Sequence, residues 1–228
     1  MQRAAAPLLG VLVLVLSLAS AGNGATTRPA LHPCKLGGVA AQCGTLIVPE
    51  NRTQPSGRRI SLSFAVIKTR HATAKEPLFY FAGGPGGSAL GVAKFASQVF
   101  GRTGRDLVLL DQRGVGASAP LLCPEPPPNL AIGSLRSYAR DCVANLRADS
   151  RRYGTDAAMD DADSLRAALG YQRVVVYGGS YGATAALVYI ARHGSHVKAA
   201  ILDGATSPDV PFFELAPQAG QAQIRLLS

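Results

Sequence analysis

The sequence predicts an α/β fold with a mostly parallel sheet. Three observations carry that prediction. Short runs that are apolar on both faces recur along the chain ("PLFYF", "DLVLL", "VVVY", "AAILD"). Such runs suit strands buried between helices. Each run ends in a glycine-bearing turn, and segments with helical periodicity alternate with them, the pattern of strands crossed over by helices.

At 228 residues, 47% of them hydrophobic and 25 of them glycine, the chain is long enough for one domain with a sizeable core. Its first residues carry a basic Arg3, an apolar run from Leu8 to Ala19, and Ala19-Ser20-Ala21 after it. That run of 12 residues is short of the roughly 20 needed to cross a bilayer. Residues 1–21 therefore read as a signal peptide, with the mature protein exported, secreted or periplasmic. No cysteine stands at the cleavage point, and no stable membrane anchor is expected after cleavage.

Residues 22–43 read as an irregular lead-in marked by proline and glycine. Residues 44–205 read as the core, and 206–228 as the start of a helical cap. Within the core, "GTLIVPE" and "RRISLSFAVIKTR" flank the turn-forming "NRTQPSG" and are expected to pair antiparallel. "CPEPPPNL" reads as loop. Leu135, Tyr138, Cys142 and Leu146 recur at helical spacing from Ser134. A further helix opens with Thr155 as its N-cap and closes at Gly170. Met159, Ala162, Leu165 and Leu169 line its apolar face, while Asp156, Asp160 and Asp161 read as a solvated face near the positive end of the helix dipole. The last strand, "AAILD", is expected to leave an apolar, unpaired edge, which predicts poor solubility for the isolated chain.

Four cysteines, Cys34, Cys43, Cys123 and Cys142, form no CxxC and no metal-ligand cluster. Export favours disulfides, and three pairings are open. Closure of local loops favours Cys34–Cys43 and Cys123–Cys142. The formal charge of +9 comes from basic residues spread as singles and pairs. It lacks the clustering and interleaved aromatics of a nucleic-acid face, so no nucleic-acid partner is expected.

The chemistry lies in the turns. Gly178-Gly179-Ser180-Tyr181-Gly182 fits G-x-S-x-G between "VVVY" and "ATAALVYIAR". In that strand–turn–helix context a serine oxygen projects above the sheet as a nucleophile. Attack on a carbonyl creates an oxyanion that fixed donors must stabilise. The N–H of Tyr181 is one candidate, and the "GGPGGS" turn from Gly83 to Ser88 is the source of a second. No phosphate-loop or dinucleotide fingerprint fits these glycines.

Taken in order, "GGPGGS", "DQRGVGAS" and "GGSYGA" resemble the α/β-hydrolase superfamily, within it the proline iminopeptidase family and its exported tripeptidyl-aminopeptidase-like branch. The likeness runs from about Cys34 onward, and the cysteine placement and "LDG" share it. One departure is Ala82, where many iminopeptidases have histidine. The resemblance implies the α/β-hydrolase fold with helices on both faces, ending before its last strands. It implies Ser180 as nucleophile, Gly84 with Tyr181 as oxyanion donors, and Asp111 and Arg113 as structural support. It also implies a peptide's N-terminal end as substrate, cleaved through an acyl-enzyme with no metal and no organic cofactor.

A serine hydroxyl needs a base, and each of the four histidines reads as a surface residue. His193 and His196 lie 13 and 16 residues beyond Ser180. At 1.5 Å per residue, His193 is about 20 Å away along the helix. His71 enters its strand from the far end of the sheet, and His32 precedes the first strand. Asp203 resembles the family's "LDG" turn rather than the triad acid. The superfamily order is serine, acid, histidine, so the acid and base are expected beyond Ser228 and the chain alone is expected to be inactive. An esterase with the same nucleophile and a non-catalytic fragment are the alternatives.

Overall fold

The computed structural model describes residues 28–69 and 73–209. The expected signal peptide, His71 and nearly all of the expected cap lie outside them. Seven strands form one sheet: β1 (Leu31–Leu36), β2 (Val39–Pro49), β3 (Arg59–Ile67), β4 (Leu78–Phe81), β5 (Leu107–Leu110), β6 (Val174–Gly179) and β7 (Val197–Asp203). Their order across the sheet is β1-β2-β3-β5-β4-β6-β7. The first three strands run antiparallel to their neighbours, while β5, β4, β6 and β7 run parallel. Helices α1 (Ala93–Phe100), α2 (Leu135–Asn145), α3 (Thr155–Ala168) and α4 (Tyr181–His193) complete the fold.

Alternate residues of one strand serve opposite cores, as the pleat requires. In β4, Phe79 and Phe81 join Leu62, Phe64 and Val176 in packing against Met159, Ala162 and Leu165 of α3 and Ala185, Ala186 and Tyr189 of α4. Leu78 and Tyr80 face the other way, onto Ala93, Ala96 and Phe100 of α1. Each large side chain so buried stabilises the fold by about 1.5–3 kcal/mol. The sheet therefore carries helices on both faces, as expected. At its outer edge among the described residues β7 exposes Ile201 (47%) and Leu202 (38%).

Three sequence readings need correction. The lead-in is not irregular throughout, because β1 and the start of β2 form a hairpin with Cys34 facing Ala41 and His32 facing Cys43. Pro33 is tolerated since β1 is the outermost strand, where alternate N–H groups face away from the ladder. Thr155 does not cap α3; Gly154 stands at the N-cap, and the Thr155 hydroxyl is committed elsewhere. Asp161 is not solvated but fully buried. The disulfides are Cys34–Cys43 and Cys123–Cys142.

Candidate functional site

The β6–α4 junction turns at Ser180, whose φ of 54° and ψ of −125° are strained for a residue with a side chain. Strain of this kind costs on the order of 1–3 kcal/mol and persists only where the surroundings fix it. Here the Ser180 N–H donates to the carbonyl of Asp203 on β7 (2.8 Å), and the Ala183 N–H donates to the Ser180 carbonyl (2.8 Å). Two glycines make the turn sterically possible. A side chain on Gly178 would strike the carbonyl of Gly182, and one on Gly182 would strike the carbonyl of Phe81 at the end of β4. Strand β6, helix α4 and strand β4 meet backbone to backbone, and Ser180 is left exposed at the rim.

The glycine turn after β4 arrives beside it. A Cβ on Gly83 would lie 3.5 Å from the Ser180 Cβ and 3.1 Å from the Gly179 carbonyl oxygen. The bend is closed by the Gly87 N–H donating to the Gly83 carbonyl (3.1 Å), and it contains a cis Gly84–Pro85 bond. Gly84 has φ 134°, and a Cβ there would press on the amide nitrogens of Gly86 and Gly87 at 2.8 and 2.9 Å. The Tyr181 N–H belongs to the first turn of α4, where amides lack intrahelical acceptors. Ser180, the Gly83–Gly87 bend and Tyr181 are thus gathered at one place.

What holds them is the turn after β5. Asp111 Oδ1 accepts from the Ser88 hydroxyl (2.8 Å) and the Leu90 N–H (3.1 Å), fixing the far end of the glycine bend. Gln112 Oε1 lies 3.4 Å from the Tyr181 hydroxyl, which also pairs with the Thr155 hydroxyl at 2.9 Å. Arg113 is wholly buried and grips both oxygens of Asp161 on α3 at 2.7 and 2.8 Å. It also donates to the carbonyls of Glu50 (2.9 Å) and Arg152 (2.7 Å). Three consecutive residues thus reach three different elements. The support role expected of Asp111 and Arg113 describes these contacts. The contacts of Gln112, Thr155 and Asp161 are not legible in the sequence, because partners 26 to 69 residues apart leave no local pattern.

The three histidines among the described residues lie away from Ser180. His32 sits on β1, five strand positions from β6, about 24 Å at ordinary strand spacing. His193 and His196 lie at and just past the opposite end of α4. Both are partly exposed, and each pairs with an aspartate of α3: His193 Nε2 with Asp160 (2.9 Å) and His196 Nδ1 with Asp163 (2.8 Å). Asp203 touches Ser180 only through the backbone bond; its carboxylate lies 3.4 Å from the Tyr177 hydroxyl. Burial raises the Tyr177 pKa, and Asp203 adds to the rise.

Residues 76–223 match the family of the alpha/beta hydrolase fold. The tripeptidyl aminopeptidase of Streptomyces coelicolor is 31% identical over 191 residues, 73% of this chain and 35% of that protein. Serine protease Hip1 of Mycobacterium tuberculosis is 30% identical over 192 residues, 74% of this chain and 36% of that protein. Among solved structures, the proline iminopeptidase of Mycobacterium smegmatis gives a TM-score of 0.53 at 20% identity, covering 79% of this chain and 49% of that one. The chain spans about a third of the length of these curated relatives. With a family match over more than half of its residues and a sheet, elbow and glycine bend arranged as described, the chain belongs to the alpha/beta hydrolase fold family.

Proposed function

We propose that this chain is the nucleophile-bearing part of an exported serine hydrolase, an aminopeptidase that removes short N-terminal pieces from peptides. The observation that carries the reading is the strained, exposed Ser180 with the Gly83–Gly87 bend packed against it. In this reading Ser180 Oγ attacks the scissile carbonyl and expels the amine as an acyl-enzyme forms. Water then hydrolyses the acyl-enzyme. The developing oxyanion takes hydrogen bonds from the N–H groups of Tyr181 and Gly84. Each donor of this kind is worth about 2.7–4 kcal/mol of barrier. The names of the relatives favour a peptidase over an esterase. Two disulfides are in keeping with export, and no helix among the described residues is long and apolar enough to cross a membrane.

Deprotonating Ser180 requires a base, and His32, His193 and His196 are all remote from it. A late aspartate and histidine, supplied in sequence beyond Ser228, complete the triad in this reading. The chain alone should then turn over substrate close to background, since lacking a triad partner costs on the order of 10⁴–10⁶ in rate. Fluorophosphonate labelling followed by peptide mass spectrometry tests this. Slow labelling of the chain and rapid, Ser180-specific labelling of a version carrying the late acid and histidine is the expected pair of results. Labelling of another residue in the extended version would overturn the nucleophile; fast labelling of the chain alone would overturn the dependence on later residues. An aminoacyl amide set against a simple aryl ester then separates peptidase from esterase.

A further inference from the structure

About 20 Å from Ser180, at the far end of α4, a second cluster stands apart from the proposed chemistry. Helix α4 ends at Arg192 and His193, and a 3-10 turn from Gly194 to His196 leads into β7. Opposite them α3 presents Asp160 and Asp163. One ligand atom each from Asp163, His193 and His196 lies within 4.8 Å of the others. The two imidazoles are nearly parallel, 8° apart in plane, with centroids 6.3 Å apart.

We propose that His193, His196 and Asp163 form a binding site for a divalent transition-metal ion of the zinc class, one that fastens α3 to the end of α4 and the start of β7. At His193 the hydrogen bonding already selects the required lone pair. His193 donates through Nε2–H to Asp160 Oδ1 (2.9 Å), which leaves the lone pair on Nδ1, 3.8 Å from Asp163 Oδ2. A histidine ligand oriented by a carboxylate on its other nitrogen is how proteins hold zinc. Asp163 is itself anchored, accepting from Arg166 Nε (2.6 Å) and Nη2 (3.2 Å) and from the Tyr189 hydroxyl (3.0 Å). Burial alone would raise its pKa, but the bonds from Arg166 and His196 outweigh it and hold the carboxyl down at about 2, so it is ionised.

His196 Nδ1–H donates to Asp163 Oδ1 at 2.8 Å. Binding moves that proton to Nε2 of the half-exposed ring and turns Nδ1 towards the ion. Bonds near 2.0–2.1 Å place tetrahedral ligand atoms about 3.3 Å apart, so the cluster closes by small side-chain rotations. Two imidazoles and one carboxylate suit zinc, nickel or copper; magnesium and calcium prefer sets made of oxygens. The charged neighbours are balanced: Arg166 offsets Asp163, and Arg192 grips Asp160 at 2.9 and 2.7 Å. The ion therefore enters a patch of near-zero net charge, in which the imidazole nitrogens provide much of the affinity.

The test uses the chain with any polyhistidine tag removed. Titration with zinc chloride in a calorimeter should give one ion per chain. At a zinc concentration about 100 times the Kd, the melting temperature should rise by about 5–10 °C, with no rise from magnesium chloride at the same concentration. The His193→Gln/His196→Gln double variant should lose the zinc-dependent rise. An equal rise in that variant, an equal effect of magnesium, or no uptake of zinc would overturn the site. Should the variant fail to fold, the wild-type chain still decides the matter. Diethyl pyrocarbonate modification, mapped by mass spectrometry, should be slowed by zinc at His193 and His196 but not at His32. Equal modification with and without zinc would refute the proposal.

Discussion

Helix α4 joins two sites built by different means. At its first turn the parts are backbone: the Tyr181 amide, the Gly83–Gly87 bend, and carbonyls of Phe81 and Asp203 within contact of the turn. At the other end of its 13 residues the parts are side chains: two histidines, two aspartates, Asp160 and Asp163, and the arginines that answer them, Arg192 and Arg166. The first end tolerates little change in residue size, because glycine is needed wherever main chains touch. The second is set by charge and by side-chain hydrogen bonds of 2.6–3.0 Å. A backbone-built site holds dipoles fixed before a substrate arrives, whereas a side-chain cluster suits fastening helices or taking up an ion.

The largest expected effect tests the backbone end directly. With the late acid and histidine present, Ser180→Ala should lower turnover of an aminoacyl amide at least 10⁴-fold, measured as kcat/KM. A drop of less than tenfold would move the nucleophile elsewhere. Next in size is the buried pair beneath the β5 turn. Asp161→Ala leaves the charged Arg113 in the core with two carbonyls but no counter-ion, and should cost about 3–5 kcal/mol in denaturant unfolding. The double change Arg113→Met/Asp161→Leu should recover most of it. If the single change cost under 1 kcal/mol, the clamp would not depend on this pair.

Gly182→Ala tests steric closure at the first turn of α4. The added methyl meets the Phe81 carbonyl, so helix and strand must separate. A loss of about 1–3 kcal/mol in thermal or denaturant melting is expected; a neutral result would mean that the packing is looser than described. The smallest effect belongs to the charged end. Asp163 is held down from 3.8 to about 2, because bonds from Arg166 and His196 outweigh its desolvation. A group with a lowered folded-state pKa adds stability above its unfolded value and loses it as pH falls through the folded one. Stability should therefore fall between about pH 4 and pH 2 by on the order of 1 kcal/mol, the part of the shift that solvent leaves unscreened. Asp163→Asn should flatten that limb of the stability–pH curve.

The same contrast explains how much could be read from the sequence. Ser180, Tyr181 and the glycines around them are legible because a strand–turn–helix site is written in consecutive residues. The β2–β3 pair and the four parallel strands are legible for the same reason, as apolar runs bounded by turns. The β1–β2 hairpin escaped because Pro33, Gly37 and Gly38 signal loop, and only its place at the sheet's edge makes Pro33 acceptable. Thr155 has the composition of a cap, yet Tyr181 from another element claims its hydroxyl. Asp160 and Asp161 look alike on a helical wheel. One faces Arg192 near solvent, and the other lies against Arg113 with no exposure at all. Such differences are decided by elements tens of residues away.

The turn at Asp111, Gln112 and Arg113 carries a consequence for how this protein can diverge. Since neighbouring positions address the glycine bend, the elbow and α3 in strict succession, gaining or losing one residue there would hand each anchor the wrong partner. Point changes in the turn can be compensated one at a time, but a shift in its length cannot. Alignments of descendants should therefore stay free of gaps across this tripeptide while the loops on either side vary in length.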